Sequence, residues 1–166
     1  MSRWRILQPE PLTPEAFAPF GEVLAEGLAP EDVINDGYTR RFADLARIDV
    51  AEADGRPVVH LYRTRPFELP RSLTMMERHP KGSQAFMPTG PGRYVAVVAP
   101  AGDPPQPAAI RAFLCDGQGL NLRRGTWHHP MMPLDGPLGF LVIERGADDD
   151  NCDVIALPTD AVVVGR

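Results

Sequence analysis

The chain holds four histidines, His60, His79, His128 and His129, and three of them fall inside two short, chemically dense stretches. The first reads Glu77-Arg78-His79-Pro80-Lys81-Gly82-Ser83-Gln84. Side chains two apart on a strand share a face, so Glu77 and His79 point the same way. A turn at Pro80-Lys81-Gly82 then returns Gln84 to their side on the next strand. The second stretch runs from Gly117 to Arg124-Gly125-Thr126-Trp127-His128-His129-Pro130. Imidazole and carboxylate groups can give or take a proton near neutral pH. An inward carboxylate is costly unless paired, so Glu77 requires a metal, a substrate or a basic neighbour. His129 alternates with His128 and faces away from it in a regular strand, although Pro130 can break that regularity. Trp127 reads as a wall of a pocket or of the core.

The elements that position these residues are short. In 166 residues there are 19 prolines and 15 glycines, which favour brief strands joined by turns over long helices. Thr13 is an N-cap and Pro14 a first helical residue, with Gly21 ending a helix of one or two turns. Residues 26–47 read as irregular around an Asn35-Asp36-Gly37 turn. Strands are expected at 47–50, 57–64, 72–78, 83–87, 93–99, 109–115, 119–123, 138–144 and 153–157. Such a series indicates an all-β sandwich or barrel with short peripheral helices, in one domain over 1–166. His60 reads as structural or solvent-facing.

Composition excludes several classes of partner. The formal net charge of -5 argues against nucleic acid, whose phosphates need a basic face. No apolar run approaches the ~20 residues that span a bilayer, and the N-terminal stretch has no apolar core of a signal peptide. A soluble, cytoplasmic protein is expected. Cys115 and Cys152 lack metal-ligand spacing and read as reduced and non-nucleophilic. Asp148-Asp149-Asp150 reads as a solvated turn, since calcium-ligand spacing is missing.

The two stretches resemble the paired motifs of the cupin superfamily. Glu77, His79 and Gln84 occupy the spacing of the first motif's two histidines and glutamate. Gly117, Arg123, Gly125 and His128 occupy that of the second, with arginine in place of proline. The resemblance implies a double-stranded β-helix, or jelly-roll barrel. Closer likeness is to ureidoglycolate lyases, through residues 77–86, 110–113, 127–130 and 150–153 and through Ile34-Asn35-x-Gly37 with Arg41 downstream. Leu122 and Arg123 depart from it, where a tyrosine and a histidine are frequent, and the stretch after Arg145 lacks a second glycine.

What this resemblance implies is cleavage of (S)-ureidoglycolate to glyoxylate and urea in allantoin and purine catabolism. Base and acid are drawn from Glu77, His79 and His128, with His129 as a further catalytic candidate. Arg41 or Arg124 suits the substrate carboxylate, as a guanidinium fork matches it. Asn35, Gln84 and Trp127 complete the candidate substrate contacts. Glu77, His79, Gln84 and His128 form a mixed N/O set for a divalent metal, nickel foremost, though glutamine is a weak ligand and metal-free catalysis fits the residues too. A homodimer through edge strands is also implied. Two competing readings are a non-enzymatic cupin binding a small polar ligand and a metal-dependent cupin dioxygenase or isomerase.

Overall fold

The computed structural model describes residues 5–28, 30–158 and 161–166. Met1–Trp4, the start of the stretch read against a signal peptide, lie outside the described residues. Two sheets carry the architecture. In the larger, Asp153–Ala156, Met75–Arg78, Trp127–His128, Arg93–Ala99, Arg111–Asp116 and Glu10–Pro11 follow in that order, and Met132–Pro133 also pairs with Arg93–Ala99. In the other, the order is Gly21–Leu24, Gly119–Leu122, Gln84–Pro88, Leu138–Gly146 and Arg56–Thr64. The chain is thus all-β, as its turn-punctuated sequence requires. A three-stranded sheet and a separate hairpin complete it. Among the described residues no helix is long and apolar enough to cross a membrane.

Alternation along Arg93–Ala99 shows how the layers join. Tyr94, Ala96 and Val98 pack with Phe86, Leu120 and Phe140 of the facing sheet, while Val95, Val97 and Ala99 pack the other way with Leu73, Met76 and Trp127. Both faces of this strand are buried, which is why its sequence is almost wholly apolar. Tyr94 meets Phe140 edge-on at 5.1 Å, and Phe17 meets Phe113 at 5.4 Å. Full burial of each such side chain contributes roughly 1.5–3 kcal/mol.

Several local expectations need correction. Thr13 does cap a helix, accepting from the Ala16 amide at 3.2 Å, but the helix is only Pro14–Phe17. Gly21 opens a strand instead of closing that helix. A Cβ there would stand 1.7 Å from the Asn121 carbonyl oxygen, so the close strand approach demands glycine. Residues 47–50 form no strand, because their polar groups are used locally. Asp49 and Ser83 exchange hydrogen bonds of 2.8 Å, and the Arg47 carbonyl accepts from Asn121. Residues 26–47 are more ordered than their composition suggests. They contain the hairpin Glu31–Ile34 and Thr39–Phe42, turned at Asn35 and Asp36, both at φ 54°. Finally, 72–78 divides into Arg71–Ser72 and Met75–Arg78, which belong to different sheets.

Candidate active site

Glu77 and His128 are register partners on adjacent strands, so the pairing itself brings the two candidate stretches together. His79 follows at the end of its strand, where its carbonyl accepts from the Gly125 amide at 2.9 Å. The Lys81 amide donates to Asn151 at 2.7 Å, fixing the turn beyond it. One ligand atom each from Glu77, His79 and His128 lies within 4.8 Å of the others.

The hydrogen bonds of the two imidazoles define which nitrogen is free. His79 Nδ1 lies 2.8 Å from the Asn151 carbonyl, and His128 Nδ1 lies 3.0 Å from the Thr126 carbonyl. A carbonyl only accepts, so both Nδ1 atoms carry hydrogen. In the neutral rings this leaves a lone pair on each Nε2, and both Nε2 atoms are buried without a hydrogen-bond partner among the described residues. His128 Nε2 faces Glu77 Oε1 at 3.4 Å, too long for a good hydrogen bond. Three acceptors therefore converge. That fits a proton or a divalent cation, and backbone-anchored imidazoles are the usual support of a metal ligand. When His128 Nε2 carries a proton it donates toward Glu77 and holds that carboxyl below the usual glutamate range, against the opposing effect of burial. The Cys152 thiol reaches the second oxygen of Glu77 at 3.9 Å.

The trio faces a cavity of about 330 Å³ between the two sheets. Its opposite wall comes from the five-stranded sheet, through Tyr62, Gln84 and Glu144, with Phe86, Phe140 and Met131 as apolar lining. Gln84 donates to Glu144 at 2.6 Å, and His60 Nε2 approaches the same carboxylate at 3.2 Å. Burial, with Glu144 and Glu77 nearby, raises the Tyr62 phenol pKa. Glu144 and Tyr62 were not among the expected site residues. The inward alternation Phe140, Val142, Glu144 carries the signal, a carboxylate on an otherwise apolar face.

Of the expected residues, Glu77, His79, Gln84 and His128 share this cavity. The other five lie apart from its lining. Trp127 does not line the cavity. Its ring is 1% exposed in the second core, with Arg78 over its face at 4.7 Å and its Nε1 donating to Gly102. His129 is likewise turned to that side, packed edge-on against Phe67, and burial lowers its pKa. Asn35 donates to Thr39 in the exposed hairpin, and Arg41 pairs there with Asp32 at 2.6 Å. Arg124 pairs with Asp49 and Glu52. Among the described residues no arginine or lysine lines the cavity. Asp149 is more than a solvated turn residue, because Arg145 and Lys81 both hold it.

This arrangement can move protons, hold a cation and enclose a small polar molecule, and likeness to known proteins agrees with that chemistry. The family model described as Ureidoglycolate lyase matches residues 4–164. A ureidoglycolate lyase of Burkholderia cepacia is 51% identical, covering 95% of this chain and 89% of its own length. One from Pseudomonas syringae pv. tomato is 43% identical, over 90% and 88%. That of Pseudomonas entomophila is 41% identical over 96% of both chains. With nearly its whole length matched, the chain belongs to the ureidoglycolate lyase family.

Proposed function

We propose that this chain cleaves (S)-ureidoglycolate to glyoxylate and urea, in the breakdown of allantoin. The observation that carries the reading is the convergence of Glu77, His79 Nε2 and His128 Nε2 on one cavity with no donor among them. The substrate is a hemiaminal bearing a carboxylate. Breaking its C–N bond takes a proton from the hydroxyl oxygen and gives one to the departing urea nitrogen. The trio accepts the first at an unprotonated oxygen or Nε2 and returns one to the nitrogen. The low pKa of Glu77 keeps it ionised at neutral pH, and the apolar lining limits water. Glu77, His79 and His128 are also the residues that would hold a divalent metal, for which nickel is our choice. When bound, such an ion supplies Lewis-acid stabilisation of the oxygen that becomes a carbonyl.

The test is glyoxylate release from (S)-ureidoglycolate by the purified chain, with and without added Ni²⁺ or Mn²⁺. Turnover in either condition is expected, and none in both would sink the reading.

Residues 1–166 are read here as one domain, because the two core clusters share the strand Arg93–Ala99. A cytoplasmic homodimer is also proposed. What supports the dimer is the edge strand Arg56–Thr64, whose outward Val59 and Leu61 are 62% and 78% exposed. Leu61, Leu141 and Met87 stand in cross-strand register, so the exposed apolar surface is continuous. An open apolar edge is a liability unless a second copy covers it. Replacing Val59 and Leu61 together by aspartate should convert the dimer to a folded monomer in light scattering.

A further inference from the structure

The wall facing the trio carries polar groups that the proton chemistry does not use. We propose that Glu144 and Gln84 form the ureido-binding end of the cavity, so that the enzyme selects substrates whose leaving group is a urea. This rests on the lyase reading above and assigns a role to a residue outside the trio.

The hydrogen bonding fixes what this wall offers. An ionised carboxylate only accepts, so the 2.6 Å contact to Glu144 must come from the Gln84 amide nitrogen. The Gln84 oxygen is thereby turned elsewhere, and it is buried with no hydrogen-bond partner among the described residues. Gln84 itself is 4% exposed and lines the cavity. An acceptor in that state lowers the free energy only when a donor arrives. Glu144 is engaged by Gln84 and His60, and a carboxylate has about four acceptor positions, so capacity remains. His60, stacked on Tyr62 with ring centroids 6.0 Å apart, orients the carboxylate and acts as a positioning residue.

Two acceptors side by side suit a neutral group rich in N–H donors. A ureido group has three such hydrogens and one carbonyl oxygen. The Tyr62 hydroxyl, kept protonated by burial and by the two nearby carboxylates, is a donor for that oxygen. The substrate's own carboxylate is repelled by Glu144. Glu77 repels it as well, so hydrogen-bond matching and not charge sets the direction of binding, with the ureido N–H groups at Glu144 and Gln84 and the carbinol end at the histidines.

The two reaction products probe the two walls separately. Urea and glyoxylate are measured as inhibitors of wild type, Glu144→Gln and Gln84→Met, together with the Ni²⁺ content of each. In Glu144→Gln the inhibition constant for urea, and the KM for ureidoglycolate, should rise roughly ten- to a hundredfold. The constant for glyoxylate should move less than about twofold, since no bond to the carboxylate end is lost. Gln84→Met removes the acceptor without a change of charge, should show the same split to a smaller extent, and keeps the question open to test if Glu144→Gln fails to fold. Wild type that is insensitive to urea, or variants in which urea and glyoxylate weaken equally, would overturn the proposal. So would loss of Ni²⁺ from Gln84→Met with urea inhibition unmoved, which would make Gln84 a metal ligand. Wild type that releases no glyoxylate removes the lyase reading itself, whereas turnover with an unmoved urea constant removes this proposal alone.

Discussion

The seven-stranded wall of the cavity presents three acceptors, and two of them are held from behind by the main chain, His79 by the Asn151 carbonyl and His128 by the Thr126 carbonyl. The five-stranded wall presents its polar atoms through side chains holding one another, in the series His60, Glu144 and Gln84. Main-chain anchors fix the two imidazoles as firmly as the fold itself. The second set can adjust, because each link is a rotatable side chain. Chemistry that needs atoms placed to within a fraction of an ångström suits the first wall, and recognition of a leaving group suits the second.

Substitutions on the two walls should therefore fail differently. The largest effect is expected for His128→Ala, which removes a cavity Nε2 and the partner of Glu77. Steady-state assays should show kcat lowered by about 10²–10⁴-fold, the range of proton-transfer catalysis. Next comes Phe140→Ala, beneath the five-stranded wall, where Phe140 is 1% exposed between Phe86 and Tyr94. Denaturant titration should show a loss of about 3–5 kcal/mol. Tyr62→Phe should be milder, raising KM by roughly two- to tenfold with kcat little changed, as one neutral hydrogen bond is lost. A change in kcat alone would erase the proposed division between the walls.

The smallest effect concerns the loop that supplies the anchor for His79. Asp149 is bound by Arg145 and Lys81, and these cations hold its carboxyl well below the usual carboxylate range. A carboxylate with a depressed folded pKa adds stability above its unfolded pKa, and that stability is lost as pH falls through the folded value. Asp149→Asn should accordingly lower the melting temperature slightly at neutral pH. The difference from wild type should shrink as the solution is taken below about pH 4, where the unfolded carboxyl begins to protonate. A difference that persists unchanged in strong acid would assign the effect to packing.

Much of the first wall was legible in the sequence, and the reason is periodicity. Glu77-x-His79 on one face follows from a period of two, and the structure places both at one cavity, which Gln84 joins from the five-stranded wall beyond the Pro-Lys-Gly turn. The same alternation separates His128 from Trp127 and His129, which face the second core. Glu144 was missed because periodicity gives the direction of a side chain and not its neighbour across the barrel. His60 depends on the same long-range pairing, with Val142 opposite it in the register. The hairpin holding Asn35 and Arg41 escaped because its cross-strand order comes from ion pairs, Arg40 with Glu31 and Arg41 with Asp32, instead of an apolar face. The arginines expected at the substrate are bound to carboxylates of their own. Type and spacing alone cannot reveal that.

The most direct measurement is glyoxylate release from (S)-ureidoglycolate by wild type beside Glu77→Gln and His79→Ala, with folding of each checked by circular dichroism. Turnover by wild type and a loss of at least about 100-fold in both folded variants is the predicted result. Full activity in both would contradict the central claim and place the chemistry elsewhere in the molecule.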